Sequence, residues 1–302
     1  MGRPVHGWLI LDKPVGPSST QAVGAVKRAL REGGYPKQKI GHGGTLDPLA
    51  SGVLPIALGE ATKLAGRMLD ADKAYLFTIR FGAETDTLDA EGKVIATSDR
   101  RPARAEVEGV LPRFTGTIAQ VPPAYSALKV EGQRAYHRAR AGEAVEMKPR
   151  AVTIASIAVF HAAEGPAGLD EVTLEAIVSK GTYVRSLARD IAHALDCVGT
   201  VTLLRRTRAG PFTLESAISL DKLGEAAKGR TLEELLLPLT AGLDDIPALP
   251  VTPDQARALR QGRTLAGTAA KPGLLLATDA DEPVALVELR EGFLRVVRGF
   301  NL

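Results

Sequence analysis

The sequence predicts an α+β protein, with a mixed, mainly antiparallel central sheet flanked by helices and loops and a small β-rich module after it. Three observations carry this. Lys73 to Phe81 alternates cleanly, with Tyr75, Phe77, Ile79 and Phe81 on one face and Leu76, Thr78 and Arg80 on the other, as a strand of an antiparallel or mixed sheet does. Other stretches repeat apolar residues at helical spacing, as Val23, Val26 and Leu30 do. Beyond Pro247, Pro250 and Pro253, three strand-like runs crowd into a module of about fifty residues, near the lower size limit for folding alone. The 302 residues suffice for one large domain, 1–246, and this small one, 247–302.

In chain order, Gly7 to Leu11 reads as a short buried strand ending at the turn Asp12-Lys13-Pro14-Val15-Gly16-Pro17. Ser18 or Ser19 caps the next helix, and Gly33-Gly34 stop it. Val53 to Leu58 forms a buried strand, and Glu60 to Leu69 a helix carrying Lys63 and Arg67. Asp86 to Gly92 lacks the spacing and distal glutamate of a calcium loop and reads as a hairpin turn. The helix starting at Arg104 ends near Leu111, because Pro112 cannot continue it. Gln120 to Arg150 has no regular apolar period and is rich in Arg, Lys and Tyr, the composition of a mobile basic loop that folds over a ligand or else of an ordinary surface excursion. Val152 to Phe160 and Val172 to Val178 are strands around a turn region, His161 to Asp170. A Gly turn at 179–182 then opens a helix at Tyr183, where Val184, Leu187, Ile191 and Leu195 share a face. Thr200 to Arg208 is a strand, and the acidic Leu214 to Leu243 a helical stretch on the back of the sheet. Thr252 and Gln255 form a capping box before the last strands, Leu274–Ala277, Val284–Arg290 and Phe293–Phe300.

Composition narrows the function. Hydrophobic residues at 45% and charged residues at 24% describe a soluble globular chain. No apolar run approaches the roughly 20 residues needed to cross a bilayer, and Met1 to His6 lacks the features of a signal peptide. The single cysteine, Cys197, allows no internal disulfide, which fits a cytoplasmic protein. The five histidines are scattered, so a zinc site is not expected. Pro123 to Arg150 has six Lys/Arg against three Asp/Glu, Ala176 to Pro211 six against two, and Thr213 to Pro250 three against seven. Basic segments set apart from an acidic one read as a face for a polyanion such as nucleic acid, or else as solvated helix faces.

The stretch richest in chemistry is Gly41 to Pro55, with four glycines, two prolines, one histidine and one carboxylate. Pro48 follows Asp47 and restricts its backbone, so the carboxylate sits on a stiff peptide. By itself this is either a capped turn or a rigid loop presenting one reactive group. Arg185 lies at a helix start, where the macrodipole disfavours a cation, which points to a specific anionic partner. Tyr75 reads as a core aromatic or as a stacking platform.

Taken together, Leu11 to Gly16, Gly41 to Pro55, Val121 to Lys129, Ser179 to Arg185 and Leu204-Arg205-Arg206 resemble, in the right order, the motifs of the TruB family of tRNA pseudouridine synthases. The Gly-His-Gly-Gly-Thr-Leu-Asp-Pro run is the most specific of these. The resemblance covers almost all of the first 210 residues. It implies the pseudouridine synthase fold, a C-terminal PUA-like RNA-binding barrel, and isomerisation of the T-loop uridine at position 55 of tRNA. The base would be flipped out, at a cost of roughly a few kcal/mol. Asp47 would be the nucleophile, Arg185 its partner, and Tyr75 would stack on the uracil and help deprotonate the intermediate. Tyr183 and Leu204 would line the pocket, and His42 would support the opened loop of the RNA. Lys13, Lys63, Lys129, Arg140 and Arg206 would serve as phosphate or structural contacts, and 123–150 would be the mobile element that closes on the RNA. No metal or organic cofactor, no obligate protein partner and a monomer are implied. Residues 33–39 and the acidic segment match no motif. Two alternatives remain: a tRNA-binding, folding-assistance protein, and a guide-RNA-dependent, dyskerin-like synthase.

Overall fold

The fold is described from a computed structural model, covering residues 4–126, 128–130, 132–165, 167–266 and 270–302, with only the backbone of Lys129. Strand β1 (Gly7–Lys13) leads to helix α1 (Ser19–Glu32), which opens on a capping box between Ser18 and Gln21. Strands β2 (Ile40–His42) and β3 (Ser51–Leu58) bracket the glycine-rich loop. A 3-10 turn and α2 (Ala65–Asp70) then reach β4 (Lys73–Phe81). The run read as a hairpin turn joins β5 (Ala83–Thr85) to β6 (Val94–Thr97). Helix α3 (Arg104–Val110) tightens into a 3-10 turn beside Pro112 and is followed by β7 (Gly116–Gln120).

The basic segment holds the short pair β8 (Lys129–Val130) and β9 (Gln133–Arg134) and helix α4 (Ala135–Arg140), more structure than its aperiodic sequence suggests. Next come the long hairpin β10 (Arg150–Gly165) and β11 (Gly168–Val178), helix α5 (Val184–Ala194), strands β12 (Gly199–Ala209) and β13 (Phe212–Thr213), and helix α6 (Leu220–Gly229). Two expectations are corrected here. His161 to Asp170 is mostly strand, because pairing with β11 continues to Gly165 opposite Gly168. The acidic stretch is not one helix: α6 ends where Arg230 turns left-handed, and short 3-10 turns follow.

The large sheet runs β1-β3-β12-β4-β11-β10-β7, with β2 beside β3 and β13 beside β12. Every pairing is antiparallel except β3 with β12, where Ser51 and Gly52 face Arg205 and Arg206. That parallel contact brings the loop before β3 to the arginines of β12. Helices α1, α3 and α5 cover one face, packing Val26, Leu30, Val107, Leu187 and Ile191 on Leu54, Ile56, Phe77 and Leu174.

The C-terminal module contains β14 (Ala248–Pro250), α7 (Pro253–Arg260), β15 (Leu265–Ala266), β16 (Gly273–Asp279), β17 (Glu282–Arg290) and β18 (Phe293–Gly299). Its five strands form a separate sheet, consistent with a PUA-like module. Leu276, Leu286 and Phe300 leave its own core to pack with Trp8, Ile10, Val53 and Met68 on the other face of the large sheet. A module this small thus shares apolar surface with its neighbour.

Candidate active site

The loop carrying Asp47 is fixed along its whole length. Gly43 N–H donates to Pro55 O at 2.8 Å. Ser19 Oγ accepts from Leu46 N at 2.7 Å and donates to Leu46 O at 3.0 Å. The Pro48 carbonyl accepts from Gly16 N–H at 2.9 Å and from Lys13 Nζ at 3.4 Å. From β12, Arg206 donates to Val53 O at 2.7 Å, Gly44 O at 3.1 Å and Thr45 O at 3.2 Å. Gly52 is required where β3 meets β12: its φ is +101°, and a Cβ there would stand 2.1 Å from Arg206 O. Asp47 therefore projects from a backbone held on both sides.

Arg185 answers it from the second position of α5. Its Nη2 lies 2.8 Å from Asp47 Oδ2 and its Nη1 3.1 Å from Asp89 Oδ2. The same two nitrogens also donate to Thr87 O at 2.7 Å and Tyr125 O at 3.0 Å. Two carboxylates thus compensate a cation that the helix N-terminus disfavours. Asp89 is itself buried and accepts from Thr87 Oγ1 at 2.6 Å and Glu91 N–H at 3.1 Å.

A cleft of about 310 Å³ opens beside this pair, lined by Asp47, Tyr75, Tyr183, Arg185, Leu204 and Arg206 among others. Tyr75 comes from β4, next to Arg206 of β12 and Ala176 of β11. Tyr183 caps α5, with the Arg150 guanidinium 4.9 Å from its ring centre. These six residues come from four separated stretches of the chain and line one cleft.

The remaining candidates lie elsewhere or face inward. Lys13 is fully buried, its ammonium donating at 2.8 Å to both Pro14 O and Pro17 O as well as to Pro48 O. Burial lowers it to about 8, opposed by the nearby Asp47 carboxylate. Arg206 is 1% exposed. Lys13 sits behind the loop, and Arg206 lines the cleft while its guanidinium is taken up by the loop's carbonyls. Lys63 pairs with Glu60 at 2.7 Å and donates to Gly299 O at 2.8 Å, tying α2's approach to the C-terminal module. Arg140 is exposed on α4, 5.7 Å from the Tyr136 ring centre. The Lys129 side chain lies outside the described residues. His42 is half-buried on β2, and its Nδ1 accepts from Gly44 N–H at 3.4 Å. Burial, helped by the Arg206 charge, lowers its pKa.

Sequence reasoning missed Asp89, Gln120, Lys73 and Arg150. Lys73 lines the cleft while its ammonium donates to Met68 O, Leu69 O and Ala71 O at the end of α2. For Asp89 a signal existed: Asp86-Thr87-Leu88-Asp89 is too apolar at Leu88 for a solvated turn, and Leu88 is buried.

Comparison with known proteins decides the family. Residues 32–184 match the family model for the TruB family pseudouridylate synthase N-terminal domain, and residues 185–244 match that for the tRNA pseudouridylate synthase B C-terminal domain. The chain belongs to the TruB family. It is an RNA pseudouridine synthase, an isomerase. The chain is 61% identical over 298 residues to "tRNA pseudouridine synthase B" of Novosphingobium aromaticivorans, covering 99% of this chain and 98% of the relative. It is 60% identical over 297 residues to the protein of that name from Zymomonas mobilis, covering 98% and 96%. Among solved structures, a chain of an H/ACA RNP bound to a substrate RNA containing 2′-deoxyuridine matches with TM-score 0.73 and 25% identity, over 98% of this chain and 85% of that one. The likeness to that chain takes in both the large sheet and the C-terminal module.

Proposed function

We propose that this TruB-family enzyme converts the uridine at position 55, in the T loop of tRNA, to pseudouridine, with Asp47 as the nucleophile. The observation that carries the reading is the asymmetric exposure of the central ion pair. The Asp47 side chain is 37% exposed to the cleft while that of Arg185 is 6% exposed, so substrate can reach the carboxylate but not the cation that orients it. A nucleophile fixed by a partner the substrate cannot displace is already in its reactive geometry.

Uridine in a folded loop must leave its stack before it can meet Asp47, and unstacking costs roughly a few kcal/mol. Tyr75 and Tyr183 give the uracil aromatic surface worth about 1–3 kcal/mol, and Leu204 closes the pocket with an apolar wall. Asp47 attacks the ribose C1′ or the uracil ring, and the glycosidic C1′–N1 bond breaks with its electron pair passing to the base. The base turns and C5 bonds to C1′, the bond to Asp47 breaks with its electron pair returning to the carboxylate, the proton on C5 is lost with help from Tyr75, and N1 takes up a proton. Substrate and product are isomers, so no co-reactant is consumed. The exposed cations of the 123–150 segment, Arg140 among them, supply phosphate contacts as that segment closes on the RNA.

The test is release of tritium from tRNA labelled at uracil C5. Asp47→Asn loses turnover while retaining RNA binding; full turnover in that variant removes Asp47 as nucleophile. A bare T-arm stem-loop serves as substrate without accessory RNA or protein, whereas a guide-dependent synthase would leave it unmodified.

A further inference from the structure

Tyr183 is gripped from two sides, and both grips come from one cross-strand pair. Gln120 is the last residue of β7 and Arg150 the first of β10, and they face each other in the ladder between those strands. Residues directly opposed in an antiparallel pair project to the same face of the sheet. Gln120 is fully buried. Its side-chain oxygen accepts from Tyr183 N–H at 2.8 Å and its amide nitrogen donates to Tyr183 O at 3.1 Å. Turning the amide over would set donor against donor and acceptor against acceptor, so only one orientation fits. Arg150 donates to Gly181 O and lays its guanidinium over the Tyr183 ring, 4.9 Å from the centre.

These bonds matter because of where Tyr183 stands. It is the residue before α5, with extended backbone at φ −99° and ψ 108°, so its N–H lies outside the helical ladder. No side chain of its own caps that helix. The Gln120 amide gives the Tyr183 N–H the partner that the ladder does not supply, and it shares the Tyr183 carbonyl with Leu187 N–H, which donates to it at 3.0 Å, so both main-chain polar atoms of a residue whose ring faces the cleft are held. Gln120 and Arg150 are also the two residues flanking the basic excursion 121–149. From that excursion Val121 O accepts from Arg189 at 3.2 Å and Tyr125 O from Arg185 at 3.0 Å, so its first turn is bolted to α5 as well.

We infer that Gln120, with its cross-strand partner Arg150, is a positioning residue for the reaction: it sets the ring of Tyr183 against the substrate uracil, and it roots the RNA-closing segment on the same contact. This rests on the reading of Tyr183 as a wall of the uracil pocket. Gln120 touches no substrate, since it acts through the Tyr183 main chain.

Single-turnover tritium release with saturating enzyme tests it, using Gln120→Leu, which keeps the shape and loses both bonds, and Gln120→Glu, which keeps the acceptor for Tyr183 N–H and loses the donor. Misplacement of a group near the reacting atoms costs up to about a hundredfold; Q120L should lose between about tenfold and a hundredfold in single-turnover rate, and Q120E less. RNA affinity by filter binding should move by less than about threefold, since the segment keeps its cations and its own anchors on α5 at Val121 O and Tyr125 O. Tyr183→Ala alone should also slow the step; if it does not, the pocket reading of Tyr183 fails. The decisive arm is the double variant. Groups acting through one another are non-additive, so in the Y183A background Q120L should cost no more than about twofold. Independent, multiplying losses would overturn the inference, as would a normal rate in Q120L. Should Q120L fail to fold by circular dichroism, Q120E carries the same cycle, with Arg150→Lys as a variant that keeps charge and loses the flat stack over the ring.

Discussion

Arg185 and Arg206 are both buried, and both hold the loop that carries Asp47, but they hold different things. Arg185 reaches the side chain and shares two carboxylates, one open to the cleft and one sealed. Arg206 reaches the backbone and donates to three carbonyls, Gly44, Thr45 and Val53. The first arginine is paired by formal charge and tied to the chemistry. The second is held by dipoles and tied to the scaffold, and its charge is felt by what surrounds it. The lowered pKa values of His42 and Lys73 have burial as their main cause and Arg206 as the next. Two residues of the same type therefore divide the work of one loop: orientation of the reactive group and rigidity of the peptide beneath it.

The largest effect should follow from removing the first of them. In Arg185→Met, Asp47 loses its orienting cation and Asp89 is left as a buried carboxylate. Loss of one fixed electrostatic contact at a reacting group costs on the order of a hundred- to thousandfold in rate, and breaking a buried ion pair about 3–5 kcal/mol in stability. Tritium release and urea unfolding measured on the same preparation read both. Arg185→Lys should recover stability more than rate, because a single ammonium cannot reach Asp47 and Asp89 in the forked geometry. Retention of full activity in R185M would break the distinction outright.

Arg206→Met should reverse the balance. Three carbonyls lose their donor, each worth about 1–3 kcal/mol when buried, so the unfolding midpoint in urea should drop strongly. The single-turnover rate of the folded fraction should fall by about tenfold or less, since Asp47 keeps Arg185. A rate loss as deep as that of R185M at unchanged stability would show that Arg206 belongs to the chemistry instead.

The same division explains what the sequence could disclose. Asp47 and Arg185 stand out physically, because glycines and prolines mark a stiff loop and an arginine at a helix start asks for an anion, whereas Tyr75, Tyr183, Leu204 and Arg206 join them only through the resemblance to the TruB family. Their convergence in one cleft required the parallel pairing of β3 with β12, a contact of only two residue pairs that no periodicity reveals. Lys13 reads as a solvated turn residue from its neighbours Asp12 and Pro14. It is buried, its ammonium taken up by Pro14 O and Pro17 O and, 35 residues away, by Pro48 O. Gln120 is hidden for the same reason, since an amide at a strand end looks exposed until Tyr183, just before α5, is in place; for Asp89 only the apolar Leu88 beside it hints at the buried Arg185 partner. In the fold, β4 and α1 were clear from period alone, whereas β2, at three residues, is too short to show one. The far ends of β10 and β11 were hidden by glycines that read as turn residues and by register shifts that break the alternation.

The smallest effect concerns Lys73, and it probes how far the charge of Arg206 extends. Burial, with Arg206 adding to it, lowers the Lys73 ammonium to about 8. In the unfolded chain the group titrates near 10.4. Between those two values the unfolded state holds more protons, so stability contributed by this residue rises with pH across the window. Below about 8 both states are protonated and the contribution is flat at its least favourable level. Lys73→Met should be destabilised at every pH, because Met68 O, Leu69 O and Ala71 O lose a shared donor. Relative to that variant, the unsubstituted protein should gain stability between pH 8 and 10, read from urea midpoints at several pH values. Equal slopes would take Lys73 out of the account. In an R206M background the window should narrow from its lower end, since one of the charges depressing the ammonium is gone; an unchanged window would confine Arg206's influence to the carbonyls it touches.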